Sequence, residues 1–161
     1  MTPIPAPGET QLSTLLASMH PVLSIDEHVF CVVSGSESSH ASVTQSLLKE
    51  YPDIFPIGQF QEEEGTTLIL KRADADQMGL AYEFVARKIT LTVHSSLSAV
   101  GFMAAIATHL SQQGISVNPV SGYYHDHLFV PSDRADEAMQ HLLSLSRQQA
   151  SQLSTLPQNP V

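Results

Sequence analysis

The sequence predicts an α+β fold in which helices cover one face of an antiparallel sheet. Three observations between Ile89 and Val130 carry that prediction. First, Ile89, Leu91 and Val93 alternate with Thr90, Thr92 and His94, the two-residue period of a half-buried strand. Second, Val100, Met103, Ala104, Ala107 and Leu110 recur at helical spacing. Ser95 and Ser96 stand where a helix cap belongs, and Gly114 closes the helix. Third, two strand-like runs, Ile115 to Val120 and Tyr124 to Val130, are split by the turn residues Ser121 and Gly122. Another helical pattern opens at Asp133. Strand, helix, strand, strand, helix is the order of a small α+β unit. Val93, Leu91, Val100, Leu110, Leu128 and Val130 are the expected shared core.

The earlier part of the chain reads more loosely. Pro3, Pro5, Pro7 and Gly8 mark residues 1–9 as a flexible arm. Thr10 is placed to cap a helix carrying Leu12, Leu15, Leu16 and Met19, ended by His20-Pro21 because the residue before proline disfavours helix. His28 to Val33 reads as a strand, Ser34 to His40 as a polar loop, and Val43 to Tyr51 as a helix stopped at Pro52. Ile54 to Phe60 is irregular or a weak strand, broken by Pro56 and Gly58. Thr66 to Lys71 is a clear strand, and Ala73 to Gly79 a short helix. A long strand from about Tyr82 to His94 links two halves, residues 10–81 and 82–147. No linker rich in Gly, Ser or Pro separates them, so one packed body is expected. No sequence repeat between the halves is visible. The polar tail 148–161, with Pro157 and Pro160, reads as loose.

The 161 residues suffice for one compact domain or two small ones, and an apolar fraction of 42% is ordinary. No run approaches the ~20 apolar residues of a membrane-spanning helix. The start, MTPIPAPGET, lacks the positive and apolar segments of a signal peptide, so a cytoplasmic protein is expected. The lone Cys31 lies among Val29, Phe30, Val32 and Val33 and reads as a buried, reduced thiol. A net charge of −9, from 7 Lys plus Arg against 16 Asp plus Glu, repels phosphate backbones and argues against nucleic-acid binding.

Four groups of residues offer chemistry. The loop His94 to Gly101 precedes a helix start, where unpaired N–H groups attract a carboxylate; a plain strand-to-helix turn needs the same residue types. Asn118 interrupts an apolar run and offers both donors and an acceptor. Pro119 follows it directly and points to an edge strand. Strand alternation puts His125 and His127 on one face, with Tyr124, Asp126, Leu128 and Val130 on the other, and His94 joins the histidine face. Three imidazoles there could hold zinc, or form a polar face that packs on another subunit. Glu62, Glu63 and Glu64 before Gly65 could attract a cationic ligand, or form a solvated hairpin turn ahead of a strand. The nucleophile elbow, phosphate loop and dinucleotide fingerprint are absent from the sequence.

The segment from Ile89 onward resembles the ACT domain, an amino-acid-binding regulatory module. The loop His94-Ser95-Ser96-Leu97-Ser98-Ala99-Val100-Gly101 sits where ACT domains carry their ligand loop. The run Gly114-Ile115-Ser116-Val117-Asn118 is similar to the Gly-Ile-Asn-Ile motif of aspartate-kinase ACT domains. From about Leu12 to Ser146 the chain resembles small bacterial proteins with two ACT-like halves and no catalytic domain. The stretches VHSSLSAVG, GYYHDHLFVP and Glu64 to Leu68 carry that likeness. The resemblance implies two ferredoxin-like βαββαβ halves and a regulatory or sensor protein without catalytic activity. Its ligand would be an amino acid held by Ser95, Ser96, Leu97, Ser98, Ala99, Val100, Gly101 and Asn118, with the carboxylate on backbone groups of Ser96 to Ala99. It implies no cofactor, no metal, no membrane and no nucleic acid, and pairing either as a homodimer or between the two halves. Two alternatives stand beside it: a dimerisation module without a metabolite, and a metal-dependent enzyme built on the histidines.

Overall fold

The computed structural model describes residues 6–35 and 40–155. It divides into two compact units, Ile25–Arg87 and Met1–Ser24 with Lys88–Val161, here the inner and outer units by their place in the sequence.

The inner unit holds most of β1 (Pro21–Val33), then α2 (His40–Glu50), β2 (Gly58–Gln61), β3 (Thr66–Lys71) and α3 (Arg72–Gln77). Its strands lie in the order β2-β3-β1, with antiparallel pairing of β3 to both neighbours. Alternation sends Val29, Cys31 and Val33 from β1, with Leu68 and Leu70 from β3, into a core that Ile54, Ala75 and Met78 complete. Burial raises the pKa of the Cys31 thiol, and the charge of Asp76 adds to the effect. Glu62 to Gly65 make the β2–β3 turn, closed by the Glu62 N–H on the Gly65 carbonyl at 2.8 Å.

The outer unit holds α1 (Leu12–Ser18), most of β4 (Val85–Leu91), α4 (Phe102–Ser111), β5 (Asn118–Ser121), β6 (Asp126–Pro131), a 3-10 turn at Ser132–Arg134 and α5 (Ala135–Thr155). The strand order is β4-β6-β5. Pro119 therefore lies on an edge strand, where its missing N–H is tolerated. One cluster joins Ile89 and Leu91 of β4, Leu128 and Val130 of β6, Phe102, Ile106 and Leu110 of α4, and Ala138 and Leu142 of α5. Helix α1 adds Leu15, Leu16 and Met19 to this cluster. The Ser146 hydroxyl lies 3.0 Å from the Ala17 carbonyl and 3.2 Å from that of Met19, tying α5 to the end of α1.

Several sequence expectations need correction. Thr10 does not cap α1: the Glu9 carboxylate takes the N–H groups of Thr10 and Gln11, each at 2.7 Å. Those bonds, Gln11 foremost, hold the Glu9 carboxyl below its usual pKa. Val100 is 85% exposed, because the buried stripe of α4 is Phe102, Ile106 and Leu110. Residues 148–155, expected to be loose, are the last turns of α5; residues 156–161 lie outside the described residues, as do 1–5 of the expected arm and 36–39 of the polar loop. Gly114 closes α4 as expected, at φ +68, with Ile115 N–H returning to the Leu110 carbonyl at 3.1 Å.

A repeat invisible in the residue types appears in the strand pairing. In the inner unit Gly58 pairs with Ile69 and Gln61 with Thr66; in the outer unit Asn118 pairs with Phe129 and Ser121 with Asp126. Each partner is displaced by 60 positions. The outer turn, Gly122 to His125, is closed by the Gly122 N–H on the His125 carbonyl at 2.9 Å, the bond that closes the inner one.

Candidate functional site

The loop between β4 and α4 is longer than a simple cap. Residues 92–101 intervene before the helix, and the residue before its first turn is Gly101, at φ +91 and without a side-chain cap. That backbone conformation favours glycine. Ser95 and Ser96, expected to cap α4, are engaged elsewhere. The Ser95 hydroxyl donates to Asp126 Oδ2 at 2.6 Å. Ser96 Oγ accepts the Ser98 N–H at 3.2 Å and lies 2.8 Å from the Ser98 hydroxyl. The first α4 backbone bond runs from the Ala105 N–H to the Gly101 carbonyl at 2.9 Å. The N–H groups of Phe102, Met103 and Ala104 therefore precede the helical ladder.

A cavity of about 170 Å³ opens at this helix start. Ser95, Ser96, Leu97, Ala99 and Gly101 line it from the loop, Phe102, Met103 and Ala104 from the first turn of α4, and Ser121 and Asp126 from the β5–β6 hairpin. Asp126 is 5% exposed, and Ser121 donates its hydroxyl to Oδ1 at 2.5 Å. A second cavity, about 260 Å³, shares Ser95, Ser96 and Leu97 and adds Pro7, Gly8, His94, Ser98 and Tyr123. Glu9 fastens the loop there: its N–H donates to the His94 carbonyl, and its carbonyl accepts the Ser96 N–H, both at 2.9 Å. The chain start thus forms a short parallel bridge to Ser95.

Of the sequence-predicted residues, the structure gathers Ser95, Ser96, Leu97, Ala99 and Gly101 around the first cavity and Ser98 around the second. Val100 points to solvent. Asn118 is exposed on β5 opposite Phe129 and is outside the lining of the first cavity. The backbone of Ser96 to Ala99 is a poor anion cradle: the Ser96 N–H is held by Glu9 and the Ala99 N–H by the Ser96 carbonyl at 2.9 Å. Among the described residues, the donors without a backbone acceptor lie later, at Phe102 to Ala104. Sequence reasoning passed over those residues, Ser121 and Asp126. Asp126 was findable, since strand parity already put it on the core face with Leu128 and Val130.

The histidines do not converge. The Thr90 hydroxyl and His127 Nδ1 are 3.0 Å apart. Burial lowers the His127 pKa, with Lys88 and His125 adding to it. His94 packs its ring on Tyr124 and Tyr123, with centroids 5.4 and 6.2 Å away. The His125 ring makes a long contact, 3.4 Å from Nδ1 to the Val93 carbonyl. Among the described residues no group of three His, Cys, Asp or Glu side chains could hold a metal ion.

Family models of the ACT domain match residues 7–87 and, again, residues 83–144. The chain belongs to the ACT-domain family. ACT domains are typically regulatory and amino-acid binding, and this chain carries two in tandem. It is similar to a protein of unknown function from Vibrio cholerae, described as a possible transport protein. The two are 43% identical over 84% of this chain and 95% of the other, with a TM-score of 0.68. The fold is also that of the ligand-free regulatory subunit of aspartate kinase from Thermus thermophilus, at 12% identity and a TM-score of 0.64, over 81% of this chain and 97% of that one. A C-terminal regulatory domain of aspartate kinase from Porphyromonas gingivalis gives 14% identity and a TM-score of 0.58, over 80% of this chain and 96% of that one. No curated protein matches the chain. Among the described residues no helix is long and apolar enough to cross a membrane.

Proposed function

We propose that the outer ACT domain binds an amino acid in the cavity at the start of α4, and that the protein serves as a sensor or regulatory subunit, not as a catalyst. One observation carries the site: α4 begins uncapped inside a cavity, although serines stand nearby in the loop. A helix start without a partner for its first N–H groups is costly away from water, and a ligand carboxylate satisfies both those donors and the helix dipole. The site residues are then Ser95, Ser96, Leu97, Ala99 and Gly101 of the loop with Phe102, Met103 and Ala104 of the helix. A cytoplasmic location, where the lone thiol of Cys31 stays reduced, goes with this reading and is tested by fractionation.

The first experiment is a thermal-shift screen of the full chain with the twenty amino acids. A ligand at 100 times its dissociation constant stabilises a one-site protein by about 2.7 kcal/mol. For a chain of this size that is roughly 5–10 °C. Ala104→Asp then tests the place. An acidic residue in the first turn favours the helix, yet here its carboxylate competes with the ligand for the same N–H groups. The variant should keep its melting temperature and lose the ligand-induced shift. If no amino acid shifts the native protein at millimolar concentration, the dimerisation-module reading replaces this one. If Ala104→Asp binds as the native protein does, the site lies elsewhere.

A further inference from the structure

Asp126 ties the β4–α4 loop to the β5–β6 hairpin through the hydroxyls of Ser95 and Ser121, a task that does not require a charge. Its carboxylate is almost wholly buried and lines the cavity, and among the described residues it accepts hydrogen bonds from two neutral hydroxyls, Ser95 and Ser121. Among the described residues the cavity lining contains no lysine, arginine or histidine. A buried carboxylate without a cation is expensive. Each carboxylate oxygen accepts two hydrogen bonds, so one donor apiece leaves acceptor capacity on both.

The inner unit supplies an internal control. The residue displaced by 60 positions from Asp126 is Thr66, at the same place in an identical hairpin register. Thr66 is fully buried, and the Gln61 amide donates to its hydroxyl at 2.9 Å. The same register thus forms around a neutral side chain. The hairpin register by itself does not call for the negative charge at Asp126.

We infer that Asp126 is the residue that selects a cationic amino group: it takes the ammonium of the ligand while the N–H groups of Met103 and Ala104 take the carboxylate. This deepens the proposed amino-acid site and rests on it. Ser95 and Ser121 act as positioning residues that aim the carboxylate. The cavity then discriminates between a free α-amino acid and the 2-hydroxy acid with the same side chain, which keeps the carboxylate and size but loses the positive charge. An anion with no ammonium meets an uncompensated Asp126 and binds more weakly.

Calorimetry on the full chain tests the inference. Each amino acid that the native protein binds is compared with its 2-hydroxy acid, in the native protein, in Asp126→Asn and in Asp126→Thr. Asp126→Thr installs the residue type that the inner hairpin already accommodates, which guards against a variant that fails to fold. The native protein should bind the amino acid at least about tenfold more tightly, the scale of one hydrogen bond to a charged group. In both variants the amino acid should weaken by about that factor and the 2-hydroxy acid should not, so that the preference disappears. If the native protein binds both compounds equally, or the variants weaken both equally, Asp126 merely bolts the loop to the hairpin. The inference then fails while the site reading stands. If no amino acid binds the native protein at all, the site reading itself fails.

Discussion

Gly8→Ala is a small change with a well-defined expected cost. A Cβ at Gly8 would stand 2.6 Å from the carbonyl carbon of Ser95 and from the N of Ser96, and 2.7 Å from the His94 carbonyl oxygen. All three are backbone atoms, so no side-chain rotation relieves the clash. The segment must move away from the loop, breaking the two bonds between Glu9 and the backbone of His94 and Ser96. Each such bond contributes about 0.5–1.5 kcal/mol net, giving a loss of about 1–3 kcal/mol. Alanine restricts the unfolded chain more than glycine does, which offsets about 0.4–1 kcal/mol. Taken at their midpoints, these terms leave the variant less stable by roughly 1.3 kcal/mol. Urea denaturation reads this as a lower midpoint with an unchanged slope, by about 0.5–1 M for a slope near 2 kcal/mol/M. Hydrogen exchange should show faster exchange at the Glu9 and Ser96 amides. A variant as stable as the native protein, or more so, would mean that Pro7 to Glu9 do not lie against the loop.

The remaining predictions concern the core and pH. Leu91→Ala and Leu128→Ala each remove a side chain buried in the outer core; each should cost about 2–5 kcal/mol in urea, and a cost under 1 kcal/mol would contradict the packing. The lowered pKa of His127 makes its neutral form the one that suits the fold. Its contribution to stability is full above the unfolded value of about 6.5 and is lost as pH falls through the lower folded value. His127→Gln should therefore flatten the loss of stability between about pH 7.5 and 5; an unchanged pH profile would sink that account.

The strands were legible because burial on one face leaves a two-residue period in the residue types, as in Ile89 with Leu91 and Leu128 with Val130. The face of α4 was not. From Ala99 to Ala107 nearly every residue is apolar, so no polar side marks which stripe turns inward, and Val100 was taken for core in place of Phe102 and Ile106. The cap failed for a related reason. Ser95 and Ser96 are the right residue types, but composition does not say that Asp126, distant in sequence, holds one of them. The site was half legible: its loop stood out, whereas the donors of α4 and the hairpin carboxylate depend on how β6 meets that loop. The 60-residue repeat survives only as burial parity and pairing register, which side-chain identity hides.

The placement of α1 has a consequence in time. Its buried face, Leu15, Leu16 and Met19, packs in a cluster with Leu128, Val130 and Leu142. Leu142 follows α1 in synthesis by about 120 residues, roughly 6–25 s at ordinary synthesis rates. The inner unit is complete well before then and needs none of those late residues for its own core. During that interval α1 has an apolar stripe whose partners from β6 and α5 are not yet made, so the outer core cannot close until α5 has been synthesised.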